Sequence, residues 1–118
     1  MSICLAMIVK DEEHILAQTL ANLIQYIPIS DYCISDTGSS DKTVEIIETF
    51  FAQHKIPGRV MHDTWVNFAH NRNLNLAHAR QHSTSDYLFT FDADDAIIGS
   101  LPNLAGYMRA NVSDIYTL

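Results

Sequence analysis

The sequence predicts an α/β fold, a wound and mostly parallel sheet with helices on its faces, and three observations carry that prediction. Residues 3–9 are continuously apolar, and Tyr87-Leu88-Phe89-Thr90-Phe91 is wholly aromatic, branched or Thr, the composition of strands buried on both faces of a parallel sheet. Between such runs, apolar residues recur at helical spacing, giving a βαβαβαβαβ order that implies a wound parallel sheet. Polar clusters follow the first, second and fourth runs, and open α/β sheets bind ligands just outside the carboxyl ends of their strands.

Each element has its own signature. After the first strand, Asp11, Glu12 and Glu13 place negative charge where a helix would begin, as the macrodipole favours. Ile15, Leu16, Leu20, Leu23, Ile24 and Ile27 then keep helical spacing to about residue 26, and Pro28 stops the pattern. Tyr32-Cys33-Ile34-Ser35-Asp36 is a second strand. Thr37-Gly38-Ser39-Ser40-Asp41 is a turn opening a second helix with Val44, Ile47, Phe50 and Phe51 inward. Pro57-Gly58 ends that helix and Arg59-Val60-Met61-His62 makes a third strand. Residues 65–69 read as a loop into a helix whose inner positions are Leu74, Leu76, Ala77 and Ala79. Residues 86–92 form the fourth strand, residues 102–110 a short helix and residues 114–118 the start of a fifth strand.

A chain of 118 residues with 47% hydrophobic and 18% charged residues is one globular domain, residues 1–118. Its net charge of −7 argues against nucleic acid or an anionic membrane surface as partner and suits recruitment of a cation. Cys4 and Cys33 lie in apolar runs without metal-ligand spacing and read as buried, reduced thiols. The apolar start lacks a basic leader region and no stretch reaches the length of a membrane span, so a cytoplasmic location is expected. The last residues break off within a strand-like run. That pattern is expected of the N-terminal part of a longer protein, and an exposed strand there could pair with a second copy as a homodimer.

The chemistry concentrates at the strand ends. Asp92, Asp94 and Asp95 fall within four residues, a costly grouping at neutral pH unless a cation, a donor cluster or water offsets it. A hard divalent ion carrying substrate phosphate is one solution. A solvated turn capping the next helix is the other. Asp36 could accept hydrogen bonds from a base or ribose, or hold the Gly38 turn. Arg72, among Trp65 and Phe68, suits a base edge or diphosphate, or else snorkels over Trp65. His78 and His82 are four apart on a helix, yet no HExxH pattern or third ligand accompanies them, so solvated histidines are expected. Dinucleotide, P-loop and serine-hydrolase patterns do not occur.

Four segments in order resemble the nucleotide-sugar half of family 2 glycosyltransferases. They are Leu5-Ala6-Met7-Ile8-Val9-Lys10-Asp11-Glu12-Glu13, Ser35-Asp36-Thr37-Gly38-Ser39-Ser40-Asp41-Lys42-Thr43, Trp65-Val66-Asn67-Phe68-Ala69-His70-Asn71-Arg72-Asn73 and Phe91-Asp92-Ala93-Asp94-Asp95. The resemblance implies a GT-A fold, a Rossmann-like three-layer sandwich, apparently truncated here. It also implies a UDP-sugar or other NDP-sugar donor with Mn²⁺ or Mg²⁺, and transfer with inversion to an acceptor such as a glycan, a lipid-linked sugar or a peptide. By the same resemblance Val9, Lys10 and Glu12 line the nucleotide pocket, Asp36 accepts from the base and Arg72 approaches the base or diphosphate. Asp92 would bind ribose, with Asp94 and Asp92 at the metal.

Two positions depart from the family pattern. Lys10 stands where many members carry a base-stacking aromatic, and Asp95 replaces a more usual Glu. The acid that deprotonates the acceptor comes, in such enzymes, from beyond the fourth strand, and Asp114 is the only acid after Asp95. The chain is thus expected to bind donor and catalyse poorly. A non-catalytic nucleotide-binding module is the alternative. A sugar nucleotidyltransferase would need a Gly-rich basic loop where residues 10–13 stand.

Overall fold

The computed structural model describes residues 2–91 and 115–117. The chain runs β1 (Ile3–Val9), α1 (Leu16–Tyr26), β2 (Asp31–Asp36), α2 (Thr43–Gln53), β3 (Gly58–His62), α3 (Phe68–His82), β4 (Tyr87–Thr90) and β5 (Ile115–Thr117). The sheet order is β3-β2-β1-β4-β5. β1 pairs in parallel with β2 and with β4, and β2 in parallel with β3. β5 runs antiparallel to β4, so the sheet is mostly parallel, as expected. Strand direction follows the path of the connection, which hydrophobic periodicity does not report. The helix expected over residues 102–110 lies outside the described residues.

Side-chain alternation divides the sheet between two cores. Ile3, Leu5, Met7 and Val9 of β1, Tyr32 and Ile34 of β2, and Phe89 of β4 face α1 and α2. There they meet Leu16, Leu20 and Leu23 of α1 and Ile47, Phe50 and Phe51 of α2. Cys4, Ala6, Cys33 and Leu88 face the other way, against Leu76 and Ala79 of α3. Each large side chain buried this way contributes about 1.5–3 kcal/mol. The α3 side is built from small residues, so that helix can approach the sheet closely.

The helix boundaries follow local chemistry. Ile27 is extended (φ −118°, ψ 121°), as the residue before a proline must be, and α1 stops there. At the start of β3, a Cβ on Gly58 would collide with the Tyr32 ring, which itself stacks on Phe51 at 4.1 Å, so only glycine fits. One expectation fails. Residues 11–13 do not form the first turn of α1, which begins at Leu16 with no acidic residue in its first turn. α3 also begins at Phe68, inside the expected loop.

No helix among the described residues is long and apolar enough to cross a membrane. Both cysteines are free and buried. Burial pushes the Cys4 thiol up to about 12, with the Asp31 carboxylate adding to the rise. Burial likewise lifts Cys33 to about 11, although the Arg59 charge opposes it.

Because these folded-state values lie above the ordinary 9.0, the stability they confer is full below about pH 9 and lost as pH rises through 11 and 12. The urea midpoint is expected to fall across that window, and to fall less steeply in Cys33→Ala. A thiol reagent at pH 8 should leave the folded protein unmodified and label both cysteines in urea.

Candidate functional site

The ends of β1 and β2 stand level because Val9 pairs with Asp36. Their loops are laced together across the gap. Thr37 donates to the Val9 carbonyl from both its amide (3.0 Å) and its hydroxyl (3.2 Å). Asp11, at a positive φ of 51°, donates its amide to Ser39 Oγ (2.9 Å) and accepts from the Ser40 amide (2.8 Å) on Oδ1. The Glu12 amide donates to Thr43 Oγ1 (2.8 Å), whose hydroxyl donates onward to Asp41 Oδ1. Glu13 Oε2 accepts from the Lys42 amide at 3.1 Å. The acidic run expected to open α1 therefore serves the start of α2. A short polar side chain at a positive φ turns the chain toward that helix.

Asp36 is buried and takes the turn-holding role. Its Oδ2 accepts from the Gly38 (3.2 Å) and Ser39 (3.0 Å) amides, and Oδ1 accepts from the Ser39 hydroxyl. Gly38, at φ +110°, permits the turn. Asp41 accepts from the Thr43 amide at 2.9 Å. Its partial desolvation pushes its carboxyl up, but bonds from the Thr43 hydroxyl and amide outweigh that and hold it below the usual range. The amides leading into α2 are thus satisfied by the chain's own carboxylates. The Ser40, Lys42 and Thr43 amides are therefore already engaged and not free for a bound anion.

Besides Lys10 and Lys42 at this edge, α3 carries Arg72. The loop before it leaves β3 next to Asp36, where the Asp63 amide donates to the Asp36 carbonyl at 2.9 Å. Asn71, fully buried, clamps the loop by accepting from the Val66 amide (2.8 Å) and donating to the Thr64 carbonyl (3.1 Å). Asn67 caps the helix by accepting from the His70 amide at 2.8 Å. Arg72 lies with its guanidinium 5.1 Å from the centroid of the Phe68 ring, not over Trp65.

Of the residues singled out in the sequence, Lys10, Glu12 and Asp36 gather at this carboxyl edge. Lys10 is exposed, while the Val9 side chain belongs to the core. Asp92, Asp94 and Asp95 lie outside the described residues. Among the described residues, no group of three or more His, Cys, Asp or Glu side chains is placed to hold a metal.

Two features were missed in the sequence. Asn71 and Asn75 are buried on α3, whereas Leu74 is half-buried and Ala77 exposed. Asn75 Nδ2 donates to the Cys33 carbonyl (3.1 Å) and Ser35 Oγ (3.0 Å), tying the helix to β2. The spacing 71, 75, 79 is the available signal, hidden because asparagine is ordinarily an exposed residue. His78 is not a solvated histidine either, because its Nε2 sits 3.1 Å from Asp63 Oδ1 and both side chains are little exposed.

Comparison with known proteins shows the family and the fold. The profile described as Glycosyl transferase family 2 matches residues 4–118. A mannosyltransferase, PcManGT from Pyrobaculum calidifontis, solved with GDP-Man and Mn²⁺, superposes with a TM-score of 0.66 at 17% identity, over 82% of this chain and 28% of its own. S. aureus TarS 1–349 solved with UDP gives 0.66 at 18% identity, over 95% of this chain and 33% of its own. The same TarS segment with UDP-GlcNAc gives 0.66 at 18%, over 95% and 30%. At such identities the likeness is one of fold, the GT-A fold, and the chain spans about a third of those structures. No curated protein matches the chain in sequence.

The lacing of the two loops is testable by stability. Thr43→Val leaves the Glu12 amide without its acceptor and takes one of three donors from the Asp41 carboxylate, and is expected to cost about 1–3 kcal/mol in urea unfolding. Gly38→Ala is expected to cost about 1–3 kcal/mol through backbone strain alone, since a Cβ there meets nothing within 4 Å. A neutral Thr43→Val would show that the loops are not joined through that hydroxyl.

Proposed function

The chain belongs to glycosyl transferase family 2, and from that premise we propose that it is the donor-binding domain of a metal-dependent, inverting glycosyltransferase. Its donor would be a UDP-sugar or another NDP-sugar. The acceptor half, and the acid that takes the acceptor's proton, would lie in further sequence, in keeping with a chain that spans about a third of its structural neighbours. The observation that carries the reading is one crevice: the loops after β1 and β2 laced at one level, with the loop before α3 leaving β3 beside Asp36 and leading to Arg72. Relatives of the same fold were solved with UDP, UDP-GlcNAc and GDP-Man, the last with Mn²⁺, which supports a nucleotide-sugar ligand.

In this reading the residues divide the work. Arg72 would neutralise diphosphate charge, a role its fixed, multiply donating guanidinium suits. Lys10 and Glu12 line the mouth of the crevice, and Asp36 fixes its floor while offering the base a carboxylate edge. Asp92 would hold ribose, and Asp94 with Asp92 would hold Mn²⁺ or Mg²⁺, whose preference for carboxylate oxygen they fit by type. When bound, such an ion stabilises a departing diphosphate as a Lewis acid. Inversion requires the acceptor to attack the anomeric carbon opposite that leaving group, with a base removing its proton. Two buried free thiols accord with a cytoplasmic setting.

Calorimetric titration of UDP is the decisive measurement. Binding is expected with Mn²⁺ present, and Asp94→Ala should abolish its metal dependence. Arg72→Ala is expected to weaken binding about tenfold or more, as loss of a charge-assisted hydrogen bond does. Absence of binding of both UDP and GDP to folded protein would overturn the reading.

A further inference from the structure

We propose that the loop entering α3 is a stacking platform for the nucleobase of the donor, with Trp65 and Phe68 as its surfaces. The inference deepens the reading above and rests on it. Trp65 is 48% exposed, Val66 56% and Phe68 59%, and these are the exposed large hydrophobic residues among those described. Single apolar residues on a surface need no explanation, but three within four positions, presented outward, do.

They are held in place rather than merely left out. Fully buried Asn71 grips the loop on both sides of Trp65, through the Thr64 carbonyl and the Val66 amide, and Asn67 caps the helix two residues further on. The loop therefore stays rigid while its aromatics face water, an arrangement that lowers the ordering cost of binding a flat ligand.

Position and charge select the occupant. The loop departs from the sheet beside Asp36, through the bond from the Asp63 amide. The Arg72 guanidinium lies 5.1 Å from the Phe68 ring centroid. A ligand lying on these rings would have a cation beside Phe68, and the root of the loop is bonded to Asp36. A nucleobase joined to phosphates matches that order: a π face for the rings, N–H donors for the carboxylate side and an anion for the guanidinium. Asp36, Asp11 and Glu13 already occupy the Gly38, Ser39, Ser40 and Lys42 amides, so the loop before α2 has few donors left for a phosphate and the Arg72 guanidinium is the better partner, beside the same rings.

The test compares Trp65→Ala, Phe68→Ala and Trp65→Phe with the unaltered chain, using UDP or GDP, whichever binds it tighter, the matching monophosphate, and pyrophosphate with Mn²⁺. Trp65→Ala is expected to weaken the diphosphate and the monophosphate alike by about tenfold, leave pyrophosphate unchanged, and be largely restored by Trp65→Phe. Trp65 is the only tryptophan, so the monophosphate should also quench the intrinsic fluorescence of the unaltered protein. Nucleotide binding that is indifferent to both alanine variants would overturn the platform while leaving the functional reading intact. Equal weakening of all three ligands would also overturn it, since that reports a disturbed loop. Failure of the unaltered chain to bind any nucleotide would overturn both.

Discussion

Pairing of β1 with β2 in the register that sets Val9 opposite Asp36 is the constraint on which the rest depends. A slip by one residue would turn the core face of either strand toward α3 and separate the two loops. In the observed register, carboxylates that would repel one another if left bare are distributed over main-chain amides. Asp11, Glu13, Asp36 and Asp41 each accept from one or two of them. The acidic excess at this edge thus works as internal scaffolding.

Much of the fold was legible because its signals are local. Continuous apolar runs mark strands covered on both faces, and Pro28, Pro57 and Gly58 punctuate the helices and strands where the structure does. The direction of β5 was not legible, since a three-residue strand carries no mark of polarity. Asp36, Lys10 and Glu12 could be brought to one edge from strand-end position alone, whereas Arg72 stands within α3. The roles of residues 11–13 could not, because a carboxylate near one helix start looks the same in sequence as one reaching across to another. Burial of Asn71 and Asn75 was hidden for a related reason. An amide is inward only where specific partners await it, and those partners, the Thr64 and Cys33 carbonyls and Ser35 Oγ, sit elsewhere in the chain.

The two faces of the sheet perform different tasks. Toward α1 and α2 lie the large side chains, Phe51, Phe89, Leu5 and Ile34, where burial supplies most of the cohesion. Toward α3 lie Cys4, Ala6, Cys33 and Ser35, with a polar bond from Asn75 where another protein would place a leucine. That face fixes position more than it supplies cohesion, and a hydrogen bond discriminates between alignments that smooth apolar packing would tolerate.

The thinness of that layer makes α3 behave as a lever. Ala79 is fully buried against the sheet, and seven residues nearer the crevice, about 10 Å along the same rod, the helix carries Arg72. Ala79 and Ala6 are fully buried between helix and sheet, so a bulkier side chain at either presses on the rod, and a tilt arrives at the guanidinium and the aromatic loop as displacement. Residues that never touch a ligand are in this way calibrated to it, through the thickness of the layer beneath the helix.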